Sequence, residues 1–260
     1  MVGQNGPRDD ASFPDPAAKM DRMYRWTRHV YDLTRRYYLL GRDEMLDRIV
    51  ASEPRRVLEV GCGTGRNLRV LADMTSGAQL YGVDASLAML ATARDALDRA
   101  DCTGRVTLAQ GLAEQLDARV DLGVDGSFDV LFFSYALSMI PAWRAALARA
   151  LAHLAPGGRL YVVDFWDQAN LPPGIPTLLQ GWLDLFDVRP RPELIQSLRT
   201  LGAAGYARCT VDSIAGRYAY LAAIEIRGDG ADAAAHLRTV HTHSGTTNDS
   251  IEPTAPSPLR

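Results

Sequence analysis

The chain has 260 residues, 47% apolar and 23% charged, with a formal net charge of −3. That length holds one α/β domain with a full core, and the mild acidity argues against a general nucleic-acid binder, which is usually basic. No run of ~18 apolar residues would span a bilayer, the N-terminus lacks the apolar centre of a signal peptide, and Cys62, Cys102 and Cys209 have neither metal-ligand nor disulfide spacing, so a reduced cytoplasm is the expected location.

Residues 1–18 are polar and proline-bearing and are expected to form a disordered leader. Residues 19–52 read as a helical cap. Met20, Met23, Tyr24, Thr27, Tyr31, Thr34 and Tyr38 recur at helical spacing, and Gly41 is a break before a second helix over 43–52. From residue 19 to 42 there are seven Lys or Arg and only two acids, interleaved with aromatic residues. From Arg55 the pattern becomes strand–helix alternation. "RRVLEVG", "QLYGVD", "RVTLAQG", the start of "SFDVLFFSYALSMI" and "RLYVVDF" read as strands, with helices over 66–73, 86–100 and 142–154 between them. "APGG" reads as the turn before the fifth strand. Such alternation predicts a doubly wound, mostly parallel sheet covered on both faces.

After the fifth strand, "NLPPGIPTLLQGWLDLFDV" predicts a proline-bounded loop and a short apolar helix, followed by a helix over 193–201. "ARCTVDSIAGRYAYLAAIEI" predicts two strands around Gly216, an antiparallel pair at the sheet edge. Residues 228–260 are poor in large apolar residues and are expected to be a disordered tail, leaving 53–227 as the main domain.

The chemistry begins at "RVLEVGCGTGRN", residues 56–67. A glycine-rich turn after the first strand lets a ligand approach the backbone and meet the next helix's N-terminus. A dinucleotide fingerprint wants glycine at the sixth position of G-x-G-x-x-G, but here that position is Arg66 after Gly61, Gly63 and Gly65. The compact form suits a ligand without a pyrophosphate, such as S-adenosylmethionine (AdoMet). Asp84 ends the second strand, where its carboxylate can accept from both ribose hydroxyls. That role serves NAD and AdoMet equally. Glu59 is a charge inside an apolar strand, costly without a partner, and is a candidate for the ligand's ammonium.

"VLEVGCGTG", "LYGVDAS", "SFDV" and "LAPGGRLYVVDF" together resemble the class I AdoMet-dependent methyltransferases over about residues 55–165. The resemblance implies a Rossmann-like fold and a cofactor site of Glu59, Gly61, Cys62, Gly63, Gly65, Asp84, Ala85, Met89, Leu112, Ala113 and Ser134. In that reading Met89 lies against the adenine; packing as plain core is the alternative. One departure stands out. The family often has Gly-Asp-Ala after the third strand, the Asp accepting from the adenine amino group, whereas this chain has Gly111-Leu112-Ala113. One lost hydrogen bond costs roughly 0.5–1.5 kcal/mol, which implies weaker cofactor binding rather than none.

"MDRMYRWTRHVYDLTRRYYLLGRD" (20–43), "SYALSMIPAWRAAL" (134–147), "YVVDF" and "GRYAYLA" (216–222) resemble a narrower family. These are the bacterial N-methyltransferases that convert diacylglyceryl-homoserine to a betaine lipid. The resemblance implies a lipid amine as acceptor and an anionic membrane surface as partner. Tyr24, Tyr31 and Tyr38 share one helix face and are candidates to hold a quaternary ammonium by cation–π attraction. Arg28 and Arg35 flank them as candidates for the homoserine carboxylate; packing tyrosines and solvated arginines are the alternative. Tyr135, just past the fourth strand where ligands bind in such sheets, is the leading candidate for the acceptor pocket. His29 is the candidate proton relay, against simple exposure, and His236, His241 and His243 hint only weakly at a metal site. Asp164 and Asp167 either orient an ammonium or cap a loop. A soluble amine, hydroxyl or carboxylate acceptor, or a non-catalytic AdoMet-binding protein, are the rival functions.

Overall fold

The computed structural model describes residues 39–184 and 188–244. The expected leader and the helix bearing Tyr24, Arg28, His29, Tyr31, Arg35 and Tyr38 lie outside the described residues. The chain enters the fold at α1 (Arg42–Ala51), whose Met45, Leu46 and Ile49 are fully buried. Then come β1 (Arg56–Val60), α2 (Arg66–Met74), β2 (Gln79–Asp84), α3 (Leu87–Arg99), β3 (Val106–Gln110), the short α4 (Ala118–Leu122), β4 (Phe128–Ser134), α5 (Trp143–Ala152) and β5 (Leu154–Phe165). The remainder is α6 (Ile175–Asp184), α7 (Pro192–Ala203), β6 (Ala207–Ile214), β7 (Ala219–Ile226) and α8 (Gly230–Ser244).

These strands form one seven-stranded sheet in the order β3-β2-β1-β4-β5-β7-β6. The first five are parallel, while β7 pairs antiparallel with both β5 and β6. Side chains alternate across the sheet. Leu58, Val60, Leu131, Phe133, Leu160 and Val162 face one buried layer, which α5, α7 and α8 cover. Val57, Val130, Phe132, Tyr161 and Val163 face the other, which α1, α2 and α3 cover. The strand order reverses between β1 and β4, so the loops leaving their C-terminal ends diverge to opposite faces and open a crevice. That crossover places the functional site.

Two expectations need correction. "APGG" is not a turn before the fifth strand. Leu154 already pairs with Phe128, and the register then jumps to Val130 with Arg159, so 155–158 bulge out within β5. The supposed tail is not disordered as far as residue 244, because α8 docks on the domain with Ala233, Ala234 and Leu237 buried. A Cβ on Gly230 would lie 2.1 Å from the Leu151 carbonyl oxygen, so the start of α8 sits directly on the end of α5. The scarcity of large apolar residues led to the expectation of disorder, yet the small Gly230 is what allows the two helices to approach this closely.

Leu237→Ala is therefore expected to destabilise the domain by about 2–4 kcal/mol, the usual cost of truncating a buried leucine. For a domain of this size that lowers Tm by roughly 2–4 °C per kcal/mol. Calorimetry on the full chain checks it; an unchanged Tm would mean that α8 does not dock.

Candidate active site

β1 feeds the glycine loop, and all three of its glycines are left-handed, with φ of 78°, 53° and 71° at Gly61, Gly63 and Gly65. The loop is stitched to β2 by the Gly61 and Cys62 amides, which donate to the Val83 carbonyl at 2.8 and 3.1 Å. Gly61 is confined twice over. Its backbone is unfavourable for any L side chain, and an added Cβ would meet the Ala136 Cβ at 2.7 Å. Gly65 caps α2, where a Cβ would meet that of Ala93 at 3.0 Å.

Asp84 locks this arrangement. It ends β2 with its carboxylate largely buried; Oδ2 accepts from the Gly63 amide at 2.8 Å and Oδ1 from the Ser86 amide at 2.9 Å. A carboxylate offers about four lone-pair sites, and Asp84 also lines a cavity at the crossover. Ser86 then caps α3 by accepting from the Met89 amide at 3.3 Å, which brings buried Met89 to the same cavity.

The cavity holds about 800 Å³ of empty space, counting the solvent at its open mouth. Gly61, Gly63, Asp84, Ala85, Met89, Leu112, Ala113 and Tyr135 line it. Glu59, Cys62, Gly65 and Ser134 do not. Glu59 shares the Val57 face of β1, so its buried carboxylate points toward α2, where Oε1 accepts from Asn67 Nδ2 at 2.7 Å. Burial pushes the Cys62 thiol well up, helped by the nearby Asp84 and Glu59 carboxylates. Ser134 is buried behind the wall.

Sequence reasoning missed part of the wall. Glu114, two residues past Leu112, lines the cavity. Ala136, Met139, Ile140 and Pro141 form the opposite wall, on the turn after β4. Their quoted motif was visible, but nothing local says that such a turn folds back against a glycine loop.

Tyr135 lines the cavity, while its hydroxyl donates to the Leu40 carbonyl at 2.7 Å. The residue holds a left-handed φ of 54°, a strain of about 1–2 kcal/mol for a non-glycine residue. Its ring meets Phe165 edge-on at 4.7 Å, and Phe165 meets Tyr218 in turn at 5.7 Å. Burial raises the Tyr135 hydroxyl well above its ordinary pKa, so it is a donor at neutral pH. Asp167 pairs with Arg217, which stacks on Trp166, and so supports a loop that does not line the cavity. His236 packs against Tyr206 at 4.8 Å; the side chains of His241 and His243 lie outside those described. Among the described residues no three His, Cys, Asp or Glu side chains gather as metal ligands.

Parts of the chain are similar to known proteins. Residues 57–158 match the family described as Methyltransferase domain. The chain is 33% identical over 119 residues to a trans-aconitate 2-methyltransferase of Delftia acidovorans, covering 46% of this chain and 41% of that protein. It is 30% identical over 140 residues to a demethylmenaquinone methyltransferase of Thermus thermophilus, covering 52% of this chain and 60% of that one. The chain thus spans about half the length of these curated relatives. Among solved structures, an O-methyltransferase family protein from Burkholderia thailandensis has the same fold, with a TM-score of 0.60 at 20% identity over 82% of this chain and 63% of that one. The residues that line the cavity at the β1/β4 crossover all lie within the segment that matches a methyltransferase domain, and the sheet has the fold of the class I methyltransferases, a family whose methyl donor is S-adenosyl-L-methionine.

Proposed function

We propose that this protein methylates the amino nitrogen of a small amphiphilic acceptor, a diacylglyceryl-homoserine lipid, to a betaine. The observation that carries the reading is the make-up of the cavity wall: among the described residues it holds no histidine, lysine or cysteine, and its one tyrosine hydroxyl is engaged with Leu40. An acceptor that brings its own lone pair needs no strong base. An α-amino group with a pKa of about 8 is neutral in roughly a tenth of molecules at pH 7, so deprotonation costs only about 1.4 kcal/mol. Good alignment supplies about 7–11 kcal/mol.

When bound, AdoMet supplies an electrophilic methyl group on a sulfonium sulfur. The chain's part is to hold and align. Asp84 accepts from the ribose hydroxyls, Gly61 and Gly63 let the donor lie against the backbone, Met89 packs on the adenine, and the Glu114 carboxylate takes the place of the missing acid at Leu112. Glu59, Cys62, Gly65 and Ser134 act in this reading from behind the wall, shaping the loop. The Tyr135, Phe165 and Tyr218 rings form an aromatic cluster beside the wall, where a nitrogen gaining methyl groups and positive charge is favoured by roughly 0.5–2 kcal/mol. Tyr24, Tyr31, Tyr38, Arg28, Arg35 and His29 belong to the same proposal as the acceptor's cap.

Access to a lipid calls for peripheral attachment to an anionic surface from the cytoplasmic side. The basic segment before α1 and the exposed Ile175 and Leu178 of α6 support it. Among the described residues no helix is long and apolar enough to cross a membrane.

A second reading has its own support. The likeness to a trans-aconitate 2-methyltransferase favours a soluble carboxylate acceptor, which also needs no base. Incubating the protein with AdoMet and either diacylglyceryl-homoserine in anionic vesicles or trans-aconitate, then weighing the acceptors by mass spectrometry, separates the two. Successive methyl increments on the lipid are expected. An unchanged lipid beside a methylated carboxylate would replace the first reading by the second.

A further inference from the structure

Asp164, next to the end of β5, is a buried acid that the donor cavity does not use directly. It is 2% exposed and does not line the wall. Its two oxygens accept from amides on two elements: Oδ2 from Ser138 at 2.9 Å and Oδ1 from Phe165 at 2.8 Å. The first of these crosses from β5 to the 135–141 turn, the turn that presents Ala136, Met139, Ile140 and Pro141 to the cavity and seats Ala136 under Gly61. Beyond its own local bonds, the turn is held by the Tyr135 amide on the Val163 carbonyl at 2.8 Å and by the Arg189 amide on the Ser138 carbonyl at 3.0 Å. The Asp164 bond is the side-chain tie at its centre. A neutral amide would not replace it, because it has one carbonyl acceptor and would aim its NH₂ at the other backbone donor.

We propose that Asp164 is a positioning residue for methyl transfer, its ionised carboxylate fixing the 135–141 turn at Ser138 and so setting the shape of the donor cavity. The titratable groups facing it are the hydroxyls of Tyr135 and Tyr220, both raised well above their ordinary values by burial, while Tyr135 in turn feels the Tyr218 hydroxyl and the Arg42 guanidinium. Both tyrosines are neutral near pH 6, so the carboxyl is the group that titrates there. Burial pushes it up to about 6, against the hydrogen bonds of Ser138 and Phe165 that pull it down. Protonation turns one acceptor oxygen into a donor and loosens the turn. Stability moves the opposite way. A carboxyl raised above its unfolded value of 3.8 favours the fold at low pH, and that contribution is lost as pH rises through about 6. This group therefore makes binding weaken on acidification without any accompanying loss of stability.

The test is calorimetric titration of S-adenosylhomocysteine, the donor's product, into wild type and Asp164→Asn. Wild-type affinity is expected to fall by about five- to tenfold from about pH 7.5 to about pH 5, because a carboxyl that titrates at about 6 stays ionised in only about a tenth of molecules at the lower pH. Asp164→Asn should bind weakly by a similar factor at the upper pH and show no such slope. In the wild-type protein alone, protection of the Ser138 amide from hydrogen exchange, corrected for intrinsic rate, should fall over the same interval, whether or not the variant folds. A variant that binds like wild type, or that keeps the wild-type slope, overturns the proposal, as does unchanged Ser138 protection. No binding by wild type at either pH overturns the donor cavity and this role with it.

Discussion

Asp84→Ala is expected to remove measurable binding of S-adenosylhomocysteine. The carboxylate does two jobs. It accepts from the Gly63 and Ser86 amides, which fixes the glycine loop relative to β2 and the start of α3, and it lines the cavity in which we propose the ribose to lie. Hydrogen bonds to a charged group are worth about 1.5–3 kcal/mol each. Losing two to the ribose therefore weakens binding by roughly 100-fold or more, before any disorder of the loop is counted. Calorimetric titration reads it directly. Asp84→Asn should fall between, because an amide keeps one acceptor but turns an NH₂ toward one of the two backbone donors. Affinity of Asp84→Ala within about threefold of wild type, less than one hydrogen bond's worth, would remove Asp84 from the site.

Gly61→Ala should have the second-largest effect, although it adds one methyl group. The left-handed backbone at φ 78° costs an alanine about 1–2 kcal/mol. The new Cβ would also stand 2.7 Å from that of Ala136, a short, stiff side chain that cannot swing away. Either the glycine loop or the 135–141 turn must move, and both are cavity walls. Overpacking of this kind adds about 1–3 kcal/mol. The variant should melt several degrees lower and bind S-adenosylhomocysteine at least about tenfold more weakly. Gly104→Ala is the control, since its Cβ would meet nothing within 4 Å. Equal Tm and affinity in the two variants would contradict the confinement of Gly61.

Much of this was legible in the residues themselves. The first five strands announce themselves as short apolar runs bounded by turn residues. The antiparallel pair of β6 and β7 shows as two such runs on either side of Gly216. The glycine loop and Asp84 are legible because a left-handed turn after a strand, and an acid at the next strand's end, are local chemistry with few alternatives. What escaped depended on partners distant in sequence. Glu59 was assigned to the ligand because a charge in a strand demands a partner; one of its oxygens accepts from Asn67, on the face that Glu59 shares with Val57. Counting alternate residues along β1 would have shown that face. α8 was missed because alanines carry little apolar area of their own, and their burial exists only against α5. The 136–141 wall and Glu114 reach the cavity through the crossover of the sheet, which no local pattern encodes. Tyr135 was picked for its place after β4, and it does line the cavity, but its hydroxyl is spent on Leu40, a residue 95 positions away.

The measurement closest to the centre of this account is a crystal structure of the protein soaked with S-adenosylhomocysteine. The ribose hydroxyls should lie within hydrogen-bonding distance of the Asp84 carboxylate, with the thioether against Gly61 and Gly63 and the adenine between Met89 and Leu112. Density elsewhere on the molecule, or a cavity that instead takes a nicotinamide dinucleotide, would contradict it.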